Sequence, residues 1–158
     1  MKIKYGVGLN NTELEQLCKD YDVKINGIYS KDELPTNLKQ GWYIINLQSA
    51  NEGDGTHWLA FCFNDNNPCM YFDSFGFLPP QEILEVISNN YLSSHKQLQD
   101  EASKSCGFWC IACIKESEKF YGNNNFGFKR FLYLFSNNTL LNEQKLKSLF
   151  ILYNTDYY

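Results

Sequence analysis

The 158-residue sequence lacks three features that would assign it to large functional classes. No apolar run approaches the roughly 20 residues that a bilayer-spanning helix needs, and the start, MKIKYGVGLNNTELEQ, lacks the apolar region of a signal peptide. There is also no dense basic stretch, because the formal net charge is −4 and Arg130 is the only arginine. We therefore expect an intracellular protein without a membrane segment, and we expect no strong nonspecific nucleic-acid binding, which works through phosphate neutralisation.

Repeats, linkers and low-complexity tails are also absent, which predicts one domain over residues 1–158. Hydrophobic residues make up 44% of the chain and aromatic residues 16%, so a substantial core is expected. In an unsecreted chain with such a core, cysteines are expected to be free thiols rather than a disulfide framework. The six cysteines are Cys18, Cys62, Cys69, Cys106, Cys110 and Cys113.

Apolar spacing predicts an α+β fold with a central mixed or antiparallel sheet flanked by helices. HWLAFCF is apolar almost throughout, which is typical of a central strand buried on both faces, and the NDNNP turn predicts an antiparallel partner after it. Helices are predicted at 13–21 (with Thr12 as N-cap), after Pro79-Pro80 in QEILEVISNNY, from Cys106 to about Phe120, and at 142–153. Strands are predicted at 22–29, 41–47, 57–63, 69–75 and 95–99.

The ends of these predicted elements carry the groups of a cysteine hydrolase, which needs a thiolate, a base, a group that orients the base and donors for an oxyanion. His57 begins the central strand and Asp73 ends the next one. Cys106 begins the buried helix, where N–H groups and the macrodipole stabilise a thiolate. Gln99 supplies an amide N–H, and Gly107 is expected to let a substrate chain approach closely.

Each of these residues alone has a common structural explanation. A single histidine, a strand-end aspartate or a thiol at a helix start is more often structural than catalytic, and Cys106, Cys110 and Cys113 share one helical face. Only their joint arrangement favours catalysis.

The order GTHWLAF, YFDSFGF and LQDEASKSCGFWC resembles the adenovirus-type cysteine endopeptidases (adenain), which are related to the ubiquitin-like-protein proteases. The similarity extends to ELEQLCKDYDVKINGIYSKDELP, which resembles the first helix and following Gly-x-Tyr turn of that family, and to NEQKLKSLFILYNTDYY, which resembles its last helix. It covers nearly the whole chain and is weakest over 122–141.

The resemblance implies an adenain-like fold with Cys106 as nucleophile, His57 as general base and Asp73 as the residue that orients it. Gln99 and the backbone N–H of Cys106 would form the oxyanion hole. Trp58 would be a wall of the substrate site, or equally a core residue. The ubiquitin-like-protein proteases have aspartate at the third position, where the adenovirus enzymes have glutamate.

The same resemblance implies an endopeptidase of a virophage, polinton-like element or other DNA virus that matures capsid or core precursor proteins. It would act in the virion and in the host cytoplasm or viral factory. The adenovirus enzyme's activating peptide is disulfide-linked to a cysteine upstream of the nucleophile, and 71–105 contains none. No activating peptide is therefore identified, DNA is not expected as a cofactor, and no other cofactor is expected.

Four alternatives share parts of this pattern. One is a zinc site formed by Cys106, Cys110, Cys113 and His57, although Cys-x3-Cys-x2-Cys on one helix is poor zinc geometry; no metal is expected. The others are a deconjugating protease acting on a ubiquitin-like protein, an acyltransferase using acetyl-CoA, and a non-catalytic virion scaffold with a protease fold.

Overall fold

A computed structural model describes residues 2–48, 57–66, 68–88, 90–120 and 124–155. Among these residues, no helix combines the length and the apolar character needed to cross a bilayer. The elements, in chain order, are α1 (Asn11–Asp20), β1 (Gly27–Ser30), β2 (Gly41–Asn46), β3 (Trp58–Phe63), β4 (Cys69–Phe72), α2 (Gln81–Ile87), β5 (Tyr91–Ser93), α3 (Cys106–Ser117), α4 (Asn124–Tyr133) and α5 (Thr139–Tyr153).

The five strands form one mixed sheet in the order β1-β2-β3-β4-β5, so the predicted α+β class with a mixed sheet is confirmed. The central pairs β2–β3 and β3–β4 are antiparallel, whereas β1 and β5 lie parallel to their neighbours at the edges. The β2–β3 ladder continues past the strand start, where Leu47 N–H donates to His57 O at 2.9 Å. This bond fixes the backbone of His57 at the entrance of β3.

The sheet is covered on both faces, and β3 is buried throughout except at its last residue. Alternate residues of β3 point to opposite faces: Leu59 and Phe61 pack in a cluster with Ile83 and Ile87 of α2, whereas Ala60 belongs to the larger cluster around α3. Two-sided burial explains why the strand reads as an unbroken apolar run.

Helix α3 is the centre of the larger cluster. Ten of its twelve residues are buried, and it contacts β3, α1, α4 and α5. A helix surrounded in this way is apolar on all sides. Of the residues of α3, the first one, Cys106, both belongs to this core and lines the cleft that contains His57.

Several predicted boundaries differ from the structure. Asn10, rather than Thr12, caps α1, because its side chain accepts from Glu13 N–H while the Glu13 carboxylate accepts from Asn10 N–H. The edge strand begins at Gly27, not at 22. Residues 95–99 are not a strand: His95 has a positive φ, and the chain pairs with β4 earlier, through β5.

One described helix, α4, was not predicted. It lies against α3, where Gly127 packs so tightly that a Cβ would clash with the backbone of Ser117. This helix depends on tertiary contact, since NNNFG by itself is typical of a loop.

Candidate active site

His57 and Asp73 lie close together because β3 and β4 are antiparallel. The start of β3 and the end of β4 are therefore side by side at the same end of the sheet. The Nε2 of His57 lies 2.8 Å from Oδ1 of Asp73. Both side chains are buried, with exposed fractions of 7% and 1%. A hydrogen bond of this length between a buried carboxylate and an imidazole is charge-assisted and fixes the plane of the ring.

The loop after β4 holds the Asp73 carboxylate in place. Its Oδ1 also accepts from Phe75 N–H at 2.8 Å. The backbone of Asp73 is tied to Ser94, whose hydroxyl donates to Asp73 O at 2.9 Å. The residues that directly follow β4 and β5 therefore fix the position of Asp73.

The bond to Asp73 occupies Nε2 of His57, which leaves Nδ1 as the ring nitrogen that can exchange a proton with a thiol. Phe75 stacks on the imidazole with ring centroids 4.8 Å apart. Such stacking and the Asp73 bond together restrict the side chain to one orientation. The imidazole is thus held with Nδ1 as the one ring nitrogen that can exchange a proton with a neighbouring group.

The environment of His57 favours its charged form. Burial alone lowers the pKa of His57, but the hydrogen bonds and charges of Asp73 and Cys106 outweigh burial and raise the pKa to about 9. Because this value lies above the ordinary 6.5, protonated His57 stabilises the fold; the contribution is complete below pH 6.5 and is lost as the pH rises through about 9. The contacts with Asp73 and Cys106 therefore favour the imidazolium form up to a higher pH than in an ordinary histidine.

Cys106 lines a cleft together with His57, Trp58, Phe75 and Gln99. It is the first residue of α3, and the helix start is uncapped, because Ser105 makes no side-chain hydrogen bond to the helix N–H groups. Cys106 is 8% exposed, whereas Cys110 and Cys113 are fully buried. Burial raises the pKa of Cys110 and of Cys113 well above the usual thiol range, so neither is available as a thiolate.

All six cysteines are free and buried. Among the described residues, no group of three histidine, cysteine or carboxylate side chains is arranged to hold a metal ion.

Gln99 is 1% exposed and its side-chain amide is oriented by two bonds. Its Oε1 accepts from the Ser74 hydroxyl at 2.6 Å, and its Nε2 donates to Ser103 O at 2.9 Å. A primary amide has two N–H donors, so one remains for a group in the cleft. Gln99 lines the same cleft as Cys106, and the Ser74 bond fixes which end of the amide faces Ser103.

Trp58 and Gly107 take different positions. Trp58 lines the cleft and donates from Nε1 to Leu9 O at 2.9 Å, so it also fixes the segment that forms the opposite wall. Gly107 is buried under that segment: a Cβ there would lie 2.8 Å from Cδ1 of Leu9 and 3.5 Å from Cδ1 of Leu14. The close approach that Gly107 permits is therefore to Leu9, and not the approach of a substrate that the sequence suggested.

No family model and no curated protein matches the chain. Its chemistry has to be inferred from the cleft. A thiol at an uncapped helix start, a charged imidazole oriented by a buried carboxylate, and an amide donor beside them are the parts of a cysteine acyl-transfer site.

The sequence did not indicate three residues that support this site. Ser74 and Phe75 directly follow Asp73, and their roles could have been suspected only from that adjacency. Glu143, on α5, accepts hydrogen bonds from the loop before Cys106. No spacing in the sequence relates it to the cleft.

Proposed function

We propose that the chain is an adenain-type cysteine endopeptidase with Cys106 as nucleophile. The observation that supports this most is the 2.8 Å bond between His57 and Asp73 in the cleft that Cys106 enters. The order of the motifs in the sequence adds to it. A base oriented by a buried carboxylate beside a thiol is the arrangement that a cysteine nucleophile needs, which favours an enzyme over a scaffold protein.

In acylation, the Cys106 thiolate attacks the scissile carbonyl carbon. A C–S bond forms and the carbonyl electron pair moves to oxygen. When the tetrahedral intermediate collapses, the C–N bond breaks and the leaving amine takes the proton from Nδ1 of His57. Asp73 keeps its bond to Nε2 throughout and stabilises the imidazolium before the proton leaves.

In deacylation, neutral His57 accepts a proton from water at Nδ1 as the water oxygen attacks the thioester carbon. The C–S bond then breaks and the Cys106 thiolate is restored beside an imidazolium. The carboxylic acid product leaves ionised, and its proton is released to solvent.

In both steps the developing oxyanion is placed between the free side-chain N–H of Gln99 and the backbone N–H of Cys106. Removing one such donor in a related kind of site costs on the order of 10²–10³ in rate. The uncapped start of α3 adds the positive end of the helix dipole at the same place.

The proposed substrates are structural precursor proteins of a DNA virus or related element, cleaved during assembly of the virion. This part rests on the resemblance to the adenovirus-type family. An extended substrate segment is favoured because the cleft shares Asn10 and Trp58 with a second groove, which is lined by Tyr29 and Asn46.

The experiment is co-expression of the wild-type chain with the structural proteins of its own genome, followed by intact-mass analysis; a Cys106→Ala chain is the control. A truncated product seen only with the wild type would support the proposal and identify the bond that is cut. Cleavage only of a ubiquitin-like conjugate, or acetylation in the presence of acetyl-CoA, would replace it with another acyl-transfer function.

Cys110→Ala and Cys113→Ala are expected to retain most turnover while losing roughly 1–2 kcal/mol of unfolding free energy each. Both side chains are fully buried and neither lines the cleft. Chemical denaturation and a peptide-cleavage assay on the same samples check this. Loss of turnover in a still-folded Cys113→Ala protein would contradict the assignment of Cys106 as the functional thiol.

A further inference from the structure

Glu143 lies in the second turn of α5, half-buried, and accepts from three side chains around the start of α3. The Ser103 hydroxyl donates to its Oε1 at 2.7 Å, and the Ser105 hydroxyl donates to the same oxygen. The indole Nε1 of Trp109 lies 3.3 Å from both carboxylate oxygens. All three donors are neutral and come from the loop before Cys106 and the first turn after it.

The bond to Ser105 has a direct effect on the helix start. Ser105 is the N-cap residue of α3, and the side-chain oxygen of a serine there usually accepts a hydrogen bond from a helix N–H. Here the hydroxyl is engaged with Glu143, and the helix start has no side-chain cap. The N–H groups around Cys106 therefore stay available to a ligand.

The bond to Ser103 connects Glu143 to Gln99. While the Ser103 hydroxyl is held by the carboxylate, the Ser103 carbonyl accepts one N–H of the Gln99 side chain at 2.9 Å. The residue before Gln99 is also anchored to α5, because Asn142 Nδ2 donates to Leu98 O at 3.2 Å. The orientation of the Gln99 amide thus depends on a loop that α5 fixes.

We propose that Glu143 is a positioning residue that keeps both oxyanion donors, the Gln99 side-chain amide and the Cys106 backbone N–H, ready for substrate. This inference rests on the proposed function. Without the carboxylate, Ser105 is free to cap the helix and Ser103 is free to move, so both donors lose their alignment. The thiolate and His57 do not contact Glu143 and keep their own geometry.

The test is Glu143→Met, which nearly keeps the size of the side chain and removes both acceptor oxygens, including the one that receives the Ser103 and Ser105 hydroxyls. We expect kcat for peptide cleavage to fall about 10-fold with KM within about twofold, because oxyanion stabilisation acts in the transition state. Alkylation of Cys106 by iodoacetamide is expected to stay within about twofold. In that reaction the thiolate displaces iodide from a CH₂ group and no oxyanion forms. Peptide mapping identifies the alkylated cysteine.

Tyr153→Phe is the matched control on α5. It removes the 2.8 Å hydrogen bond from the Tyr153 hydroxyl to Glu116, which lies near the end of α3 and not near its start. It should lower Tm without changing kcat, and Glu143→Asp should recover part of the lost kcat. A parallel fall of kcat and alkylation rate in Glu143→Met, or a fall in Tm alone, would overturn the positioning role.

A readout without substrate separates this inference from the proposed function. The side-chain amide resonances of Gln99 are expected to shift in ¹⁵N NMR spectra of Glu143→Met and to stay in place in Tyr153→Phe. If the wild type cleaves no peptide, the proposed function fails. A shifted Gln99 signal would then still support the coupling, and an unmoved signal would overturn it.

Discussion

Cys106→Ala is expected to lower kcat/KM for peptide cleavage by at least about 10⁴-fold, the largest loss of any single substitution in the cleft. Without sulfur at this position no thioester forms, and Cys110, the nearest thiol along the helix, is fully buried. The residual rate comes from binding and the oxyanion donors. The measurement is steady-state cleavage of a fluorogenic peptide built on the bond found by co-expression.

The fold of the Cys106→Ala protein should be preserved. The thiol sits at the edge of the core, 8% exposed, so removing it leaves little unfilled volume. Cys110→Ala, one turn further along α3, is the matched control, because it deletes the same atom from the same helix and should remain active. An alanine protein that keeps more than a tenth of wild-type activity would show that the reaction does not use this sulfur.

Asp73→Asn is expected to reduce kcat by about 10³-fold, less than the roughly 10⁴-fold loss that the same change causes in a serine-protease triad. An asparagine at this position can offer its N–H to Nε2, which would favour the wrong tautomer of His57. It also removes a negative charge that helps raise the pKa of His57 to about 9. The basic limb of the pH profile, where the imidazolium is lost, should therefore move from about 9 to a lower pH.

The check is the pH dependence of kcat/KM together with NMR titration of the His57 ring, assigned with the help of His95→Gln, since the chain has two histidines. Asp65→Asn is the control: this carboxylate is exposed in the turn between the same two strands, and its loss should leave the limb in place. A basic limb that stays near pH 9 in Asp73→Asn would mean that this carboxylate does not control His57.

The sequence predicted those parts of the fold that local pattern determines. The two-sided burial of β3 is visible in HWLAFCF, and the antiparallel turn to β4 follows from NDNNP. That pairing alone brings His57 and Asp73 to the same end of the two strands, because His57 directly precedes β3 and Asp73 directly follows β4.

What the sequence did not predict depends on contacts between distant segments. Helix α4 forms against α3 although NNNFG reads as a loop, and the edge strand β5 is three residues long. Gly107 could not be assigned from its neighbours, since the side chain that packs on it, Leu9, is about a hundred positions away. Glu143 also lies on a different element from Cys106, and its contacts with the loop before α3 depend on where α5 packs.

The burial of α3 on all sides has a consequence for how such a site can be controlled. Amide hydrogens in the middle of this helix have no route to solvent short of opening the whole domain, so their exchange should report global unfolding. Heat is then expected to remove the support of Cys106 only together with the rest of the core. In an enzyme of the proposed kind, a restraint on activity would therefore act at the rim, on the segments around Leu9 and Ser103 or on access to the groove.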